Sequence, residues 1–194
     1  MQLIKYTIII FITTGMLSCS SQKPLLQNND DYVIFQQLIK DRKPQSIYLV
    51  KEANNHDLRN LIEEEYPTFF VDWEYNTYQN SISYEVAKEI FNDVEIKNYY
   101  KQLEKEYIWA ESFSQKLISK DSLSILRDKI RKEKSFDFYW RISKIIYTTN
   151  KKYALVLFGY TDIQTESNVE GGLNNYKNEE GIWKFHTQLF YFFQ

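Results

Sequence analysis

The chain has 194 residues, with 24 basic and 26 acidic side chains, a formal net charge of −2 and an aromatic content of 17%. A nearly neutral, well-mixed charge argues against the clustered basic face that nucleic-acid binding uses, and a single cysteine excludes an intramolecular disulfide. The 16 Tyr, 13 Phe and 4 Trp suit strands and a sheet-based core, so packing must stabilise the fold without a covalent crosslink.

The N-terminus carries one basic residue, Lys5, followed by an apolar run from Tyr6 to Leu17 that Thr7, Thr13 and Thr14 dilute. A transmembrane helix needs about 20 consecutive apolar residues, so this run is short for a span and fits the apolar region of a signal peptide. Met16-Leu17-Ser18 then precedes Cys19. A bulky residue, a leucine and a small residue before a cysteine resemble the lipobox of a bacterial lipoprotein. That resemblance implies a signal peptide over 1–18, with Cys19 as the lipidated first residue of the mature chain. The competing readings are an uncleaved apolar N-terminus and a plain secreted protein. Two or three palmitate-type acyl chains, at about 0.8 kcal/mol per buried methylene, would make the anchor effectively permanent. No aspartate follows the cysteine; Ser20 does, which by common sorting habits favours the outer membrane. Losing Lys5 with the leader leaves a mature net charge of about −3.

Residues 19–30 are polar and read as a tether. From Asp31 to Gln194 the chain suffices for one domain burying roughly 70% of its unfolded surface. Val33, Phe35, Leu38 and Ile39 fit one face of a short helix that Pro44 ends. Residues 46–50 (SIYLV) read as a strand, and 56–65 as a helix with Leu58, Leu61 and Ile62 at helical spacing and Asn55 as its cap. Phe69, Val71, Trp73 and Tyr75 alternate with Phe70, Asp72, Glu74 and Asn76 and mark a half-buried strand. Residues 83–91 read as a helix. Ile96, Tyr99, Tyr100, Leu103 and Tyr107 recur at three and four residues and predict another.

Residues 113–119 suggest a short strand, and Asp121 a cap for a helix to about Lys132. Tyr139 to Tyr147 alternates loosely and ends in a polar turn. Tyr153 to Tyr160 is nearly all apolar, as in a strand buried on both faces. Asp162 to Glu170 reads as a polar loop and Gly171-Gly172 as a tight turn. Leu173 to Lys177 pairs with Ile182 to Phe190 through Asn178-Glu179-Glu180-Gly181, where Gly181 supplies a positive φ. The fold class predicted is α+β: N-terminal helices with short strands, then a C-terminal antiparallel meander.

The C-terminal half resembles small envelope lipoproteins of unknown function from Bacteroidota-type bacteria. The residues that carry the likeness are Ser143-Lys144-Ile145-Ile146, Tyr153-Ala154-Leu155-Val156 to Tyr160, Gly171-Gly172, and Lys177 to Gly181-Ile182-Trp183-Lys184. It covers roughly 108–194. It implies an envelope location and no particular reaction. Many such proteins carry a cysteine pair near the Gly-rich loop; this chain does not, so no disulfide or metal role passes to it.

Candidate chemistry is sparse. The histidines are His56 and His186, and the one cysteine is at the anchor. A zinc site usually needs three or four ligands, so no metal and no cofactor is predicted. No G-x-S-x-G and no phosphate-cradling glycine loop occurs. Asp72 and Glu74 share one strand face at about 7 Å spacing, compatible with the carboxyl pair of a glycosidase; the favoured reading is the polar face of an amphipathic strand. Glu63 to Glu65 read as a solvated helix end. His186, opposite Trp183 and Phe185 on the strand period, is expected to face solvent or a polar groove. Trp73, Trp109, Trp140 and Trp183 are core residues or a sugar platform.

The sequence thus predicts a protein held at a bacterial envelope membrane by the lipid on Cys19, facing the periplasm or exterior, with no nucleic-acid partner. Two functions compete. One is a non-catalytic binding or accessory module, such as an immunity-type protein with an envelope partner, which predicts an exposed acidic or aromatic patch and no deep polar pocket. The other is an envelope enzyme acting on glycan, which predicts a cleft containing Asp72, Glu74 or His186.

Overall fold

The computed structural model describes residues 29–40, 47–65, 82–114, 116–133 and 137–193. The leader, Cys19, most of the tether and the strand expected at Phe69–Tyr75, with Asp72, Trp73 and Glu74, lie outside the described residues.

Among the described residues the architecture is α+β, with five helices and a seven-stranded mixed sheet. In chain order the elements are α1 (Asn29–Lys40), β1 (Ile47–Val50), α2 (Asn55–Glu65), α3 (Tyr84–Ile90), α4 (Asp93–Leu103), β2 (Leu117–Ile118), α5 (Lys120–Glu133), β3 (Phe138–Ile142), β4 (Ile146–Tyr147), β5 (Tyr153–Asp162), β6 (Asn168–Glu179) and β7 (Ile182–Phe193). The sheet runs β2-β1-β3-β5-β6-β7, with β4 also pairing β5. Strand β1 lies parallel to β2 and β3; the remaining pairs are antiparallel. The helices come mainly first and the meander last, as the pattern predicts.

Strand β5 is apolar from Tyr153 to Phe158 because both its faces are covered there. Tyr153, Leu155 and Leu157 pack with Leu58 and Ile62 of α2, Ala87 and Ile90 of α3, and Ile96, Tyr99 and Leu103 of α4. Ala154, Val156 and Phe158 point the other way, into a cluster with Ile34, Phe35 and Leu38 of α1. Trp109, Trp140 and Trp183 are buried in that second cluster, so none of the three offers a surface platform. Phe35, Trp109 and Phe113 pack with ring centroids 5.0–5.1 Å apart, and the Trp109 indole N–H donates to the Ile142 carbonyl. Helix α5 covers a third cluster around Val50, Tyr139 and Ile163. By strand register Tyr139 shares its sheet face with Leu157. Helices α2–α4 and α5 therefore cover two parts of one face.

Several local expectations are corrected. Asn55 is the first residue of α2 and does not cap it; its side chain accepts from the Lys144 N–H and donates to the Lys105 carbonyl. Helix α4 ends at Leu103, so Tyr107 continues the period beyond the helix; Asn92 caps its start. Asp121 lies inside α5, and Ser119 provides the capping oxygen for the Ser122 N–H. The strand expected at 113–119 shrinks to Leu117–Ile118. Gly171 and Gly172 sit mid-strand in β6 rather than in a turn. The reversal comes earlier, where Asp162 Oδ1 accepts from the backbone N–H of Gln164 and Thr165. The β6–β7 turn falls where expected, with Gly181 at positive φ, but is tighter than the four-residue connection read from the sequence: Glu179 pairs Ile182, and Glu180 and Gly181 take φ of 55° and 87°, as a two-residue hairpin turn demands.

Candidate functional site

One row across the sheet has unusual side chains. Arg141 on β3 pairs with Gly159 on β5, and Gly159 pairs with Gly171 on β6. The row lies on the face that α2–α4 and α5 cover from either side, so two adjacent positions there present bare backbone. A Cβ at Gly159 would have only the Arg141 carbonyl oxygen nearby, at 4.0 Å. The space that a side chain would fill is left open, and it forms a cleft of about 290 Å³.

The cleft has a polar wall from α2 and the residue before it, comprising Asn54, Asp57, Asn60 and Glu64 with Leu61 between them. Asn168 and Glu170 close it from β6, and Arg141, Gly159 and Gly171 form the floor. Asp57 stands in the first turn of α2, where the positive end of the helix favours a carboxylate. Arg141 Nη2 donates to Asp57 Oδ2 at 3.0 Å and to Asn54 Oδ1 at 3.2 Å. The Asn54 amide in turn donates to Asp57 Oδ2 at 2.7 Å. Asn54 is 8% exposed, so this triad has a fixed base and an accessible rim. Three carboxylates against one guanidinium make the lining net acidic. Such a surface suits a small ligand or side chain rich in hydrogen-bond donors.

A second, larger depression of about 450 Å³ lies on the other side of the α2 start. Two of its polar side chains, Glu52 and Asn55, are engaged in holding the fold. Glu52 accepts from the Lys120 N–H, and Asn55 ties α2 to Lys144 and Lys105. The first cleft is therefore the better candidate.

Asp72 and Glu74 lie outside the described residues, and His186 does not reach the cleft. His186 is exposed on β7, its ring 6.1 Å from that of Tyr153. Burial and the nearby Lys177 hold its pKa below the ordinary histidine value. Tyr153 opens β5 and Gly159 lies six residues on, about 20 Å along an extended strand. His186 is also an extra residue in the β6–β7 ladder, since Asn175 pairs Thr187 while Tyr176 pairs Phe185. Phe185 is 46% exposed although it shares a strand face with the buried Trp183, against the simple alternation. Of the acidic run at the end of α2, Glu63 pairs with Arg59 and Glu64 turns into the cleft. Among the described residues no group of three or more His, Cys, Asp or Glu is arranged to hold a metal ion. No helix among them is long and apolar enough to cross a membrane.

A buried acid that the sequence reading did not single out lies at the base of the domain. Asp31 of α1 is 6% exposed and accepts from the Tyr147 and Tyr107 hydroxyls. Burial raises its pKa above the ordinary 3.8 despite both hydrogen bonds and the nearby Lys144. The spacing held a signal: Asp31, Ile34, Phe35 and Leu38 fall at helical intervals, which places Asp31 on the buried face. This cluster fastens α1 to β4 and to the segment after α4.

Comparison of the chain with protein-family models, with curated proteins and with solved structures gives no match in any of the three.

Proposed function

We propose that this chain is a lipid-anchored bacterial envelope protein that acts as a non-catalytic binding or accessory module, of the kind an immunity protein represents. Its anchor is the lipid on Cys19, and its domain faces the periplasm or exterior, with the outer membrane the favoured site. The resemblance to Bacteroidota-type envelope lipoproteins belongs to the same proposal. The nine residues from Ser20 to Asn28 could span at most about 30 Å, so α1 would lie near the bilayer.

The observation that carries the binding reading is the Arg141–Asp57–Asn54 triad over a glycine floor. Asp57 is engaged by a guanidinium and an amide. A carboxylate so engaged presents a preorganised recognition surface. The cleft is polar, which departs from the pocket-free surface expected of a binding module. It accommodates a donor-rich group from an envelope partner. The experiment is recovery of partners with the detergent-solubilised full-length chain from its own membrane, run beside Arg141→Met. A partner retained by the parent and lost by the variant supports the reading; identical partners on both would refute it.

The enzyme reading on glycan keeps one favourable observation, three carboxylates in one cleft. It predicts that Glu64→Gln abolishes release of soluble fragments from envelope glycan. A parent chain that releases none would remove it.

A further inference from the structure

Among the described residues β7 ends the sheet, and an end strand presents N–H and C=O groups that can template another chain. Two irregularities break this edge. His186 and Leu189 are extra residues in the β6–β7 ladder, because Tyr176, Asn175, Asn174 and Leu173 pair with Phe185, Thr187, Gln188 and Phe190. Such bulges twist an edge away from partners. The stretch before them, Ile182 to Phe185, is regular. It also carries exposed apolar side chains, with Ile182 61% and Phe185 46% exposed.

Gln37 of α1 lies against that regular stretch. Its amide Nε2 donates to the Trp183 carbonyl, and its Oε1 accepts from the Phe185 N–H at 3.1 Å. These are the two bonds that a neighbouring strand would make on either side of Lys184. One carboxamide carries both a donor and an acceptor, so a single side chain satisfies both orphan groups. Ile34, Phe35 and Leu38 of the same helix are buried in the core and fix its position.

We propose that Gln37 is an edge guard: its carboxamide stands in for a neighbouring strand on β7 and prevents this edge from pairing with β7 of a second copy. The second copy is the matching occupant because two identical edges are self-complementary about a two-fold axis, and each copy would bring its exposed Ile182 and Phe185 to the new seam. The guard and the bulges divide the work. The bulges spoil the ladder from His186 to Leu189, and Gln37 closes the stretch before it.

The test uses the full-length chain in membranes, with Lys184→Cys as a reporter at the centre of the guarded stretch. Gln37→Leu keeps a helix former on α1 but removes both bonds. The expected result is a disulfide-linked dimer in Gln37→Leu with Lys184→Cys, and none when Gln37 is retained. Gln37→Leu without the added cysteine controls for Cys19. Hydrogen exchange of the Phe185 amide should be at least tenfold faster in Gln37→Leu than in the parent. A second variant, Gln37→Lys, restores a donor to Trp183 and places a charge on the edge. It should exchange fast at Phe185 yet form no dimer. Unchanged exchange in Gln37→Leu, no dimer in that variant, or equal dimer with Gln37→Lys would each overturn the proposal.

Discussion

Arg141 and Asp57 are 84 positions apart in the chain, and the structure brings the guanidinium Nη2 within 3.0 Å of the carboxylate Oδ2. Their side chains are 33% and 43% exposed. A pair this exposed contributes only about 0–1 kcal/mol to stability. Arg141→Met keeps much of the aliphatic stem and removes the charge. It should therefore shift Tm by no more than a few degrees while abolishing recognition at the cleft. Thermal unfolding beside partner recovery checks this; a collapse of the fold would show that the pair is structural.

Two glycines in the same part of the sheet should respond in opposite ways. Gly159 has room for a methyl group, with 4.0 Å to its nearest neighbour. Glycine in a strand is disfavoured by roughly 0.5–1 kcal/mol relative to alanine, so Gly159→Ala should hold or raise stability by about that amount. The same methyl group obstructs the cleft floor and should weaken binding. At Gly172 a Cβ would overlap Gln188 Nε2 and the Phe190 carbonyl oxygen. Gly172→Ala should cost about 1–3 kcal/mol. Gln188→Ala should restore only part of that loss, because the Phe190 backbone stays in place. Denaturant unfolding of the three variants decides it.

Asp31 gives the domain a pH dependence of stated sign. Its carboxyl is raised above 3.8 by burial, so the folded state holds the proton to higher pH than the unfolded chain. Its contribution to stability is fully present below the ordinary value and declines as pH rises through the raised one. Asp31→Asn removes that decline. The stability of the variant relative to the parent should grow from about pH 4 upward, over the window between those two values. Asp31→Ala leaves the Tyr107 and Tyr147 hydroxyls without this acceptor. At about 1–3 kcal/mol for each buried unsatisfied group, it should cost roughly 2 kcal/mol or more at neutral pH. Unfolding curves across pH test both.

Glu95 closes the turn between β4 and β5. It is 6% exposed and accepts from the Thr149 N–H and hydroxyl and from Asn98. Glu95→Ala should cost about 1–3 kcal/mol by leaving those donors unmet, with faster hydrogen exchange at Thr149 as its local signature.

The sequence exposed what repeats locally and concealed what is assembled at a distance. The apolar run at Tyr153–Tyr160 had one sensible reading, a strand covered on both faces, and β5 is that strand. The Glu180-Gly181 turn was legible because positive φ there favours glycine. Gly171-Gly172 misled because a glycine pair signals a turn as readily as a close approach; Gln188 lying over Gly172 is the actual reason for one of them. The Tyr107 spacing continued a helical period past the end of α4, where the ring instead packs on Trp109 at 5.0 Å. The cleft had no local signature, since Asp57, Arg141 and Gly159 come from α2, β3 and β5. A lone glycine inside the apolar run was its one visible trace.

The most direct measurement puts a photo-crosslinking amino acid at Asn60, on the α2 wall of the cleft, in the full-length chain in its native membrane. The account predicts a covalent adduct with an envelope partner. It also predicts that adding Arg141→Met or Gly159→Ala lowers the yield at least tenfold while the fold persists. No adduct, or an adduct of equal yield in both variants, would contradict a binding function for this cleft.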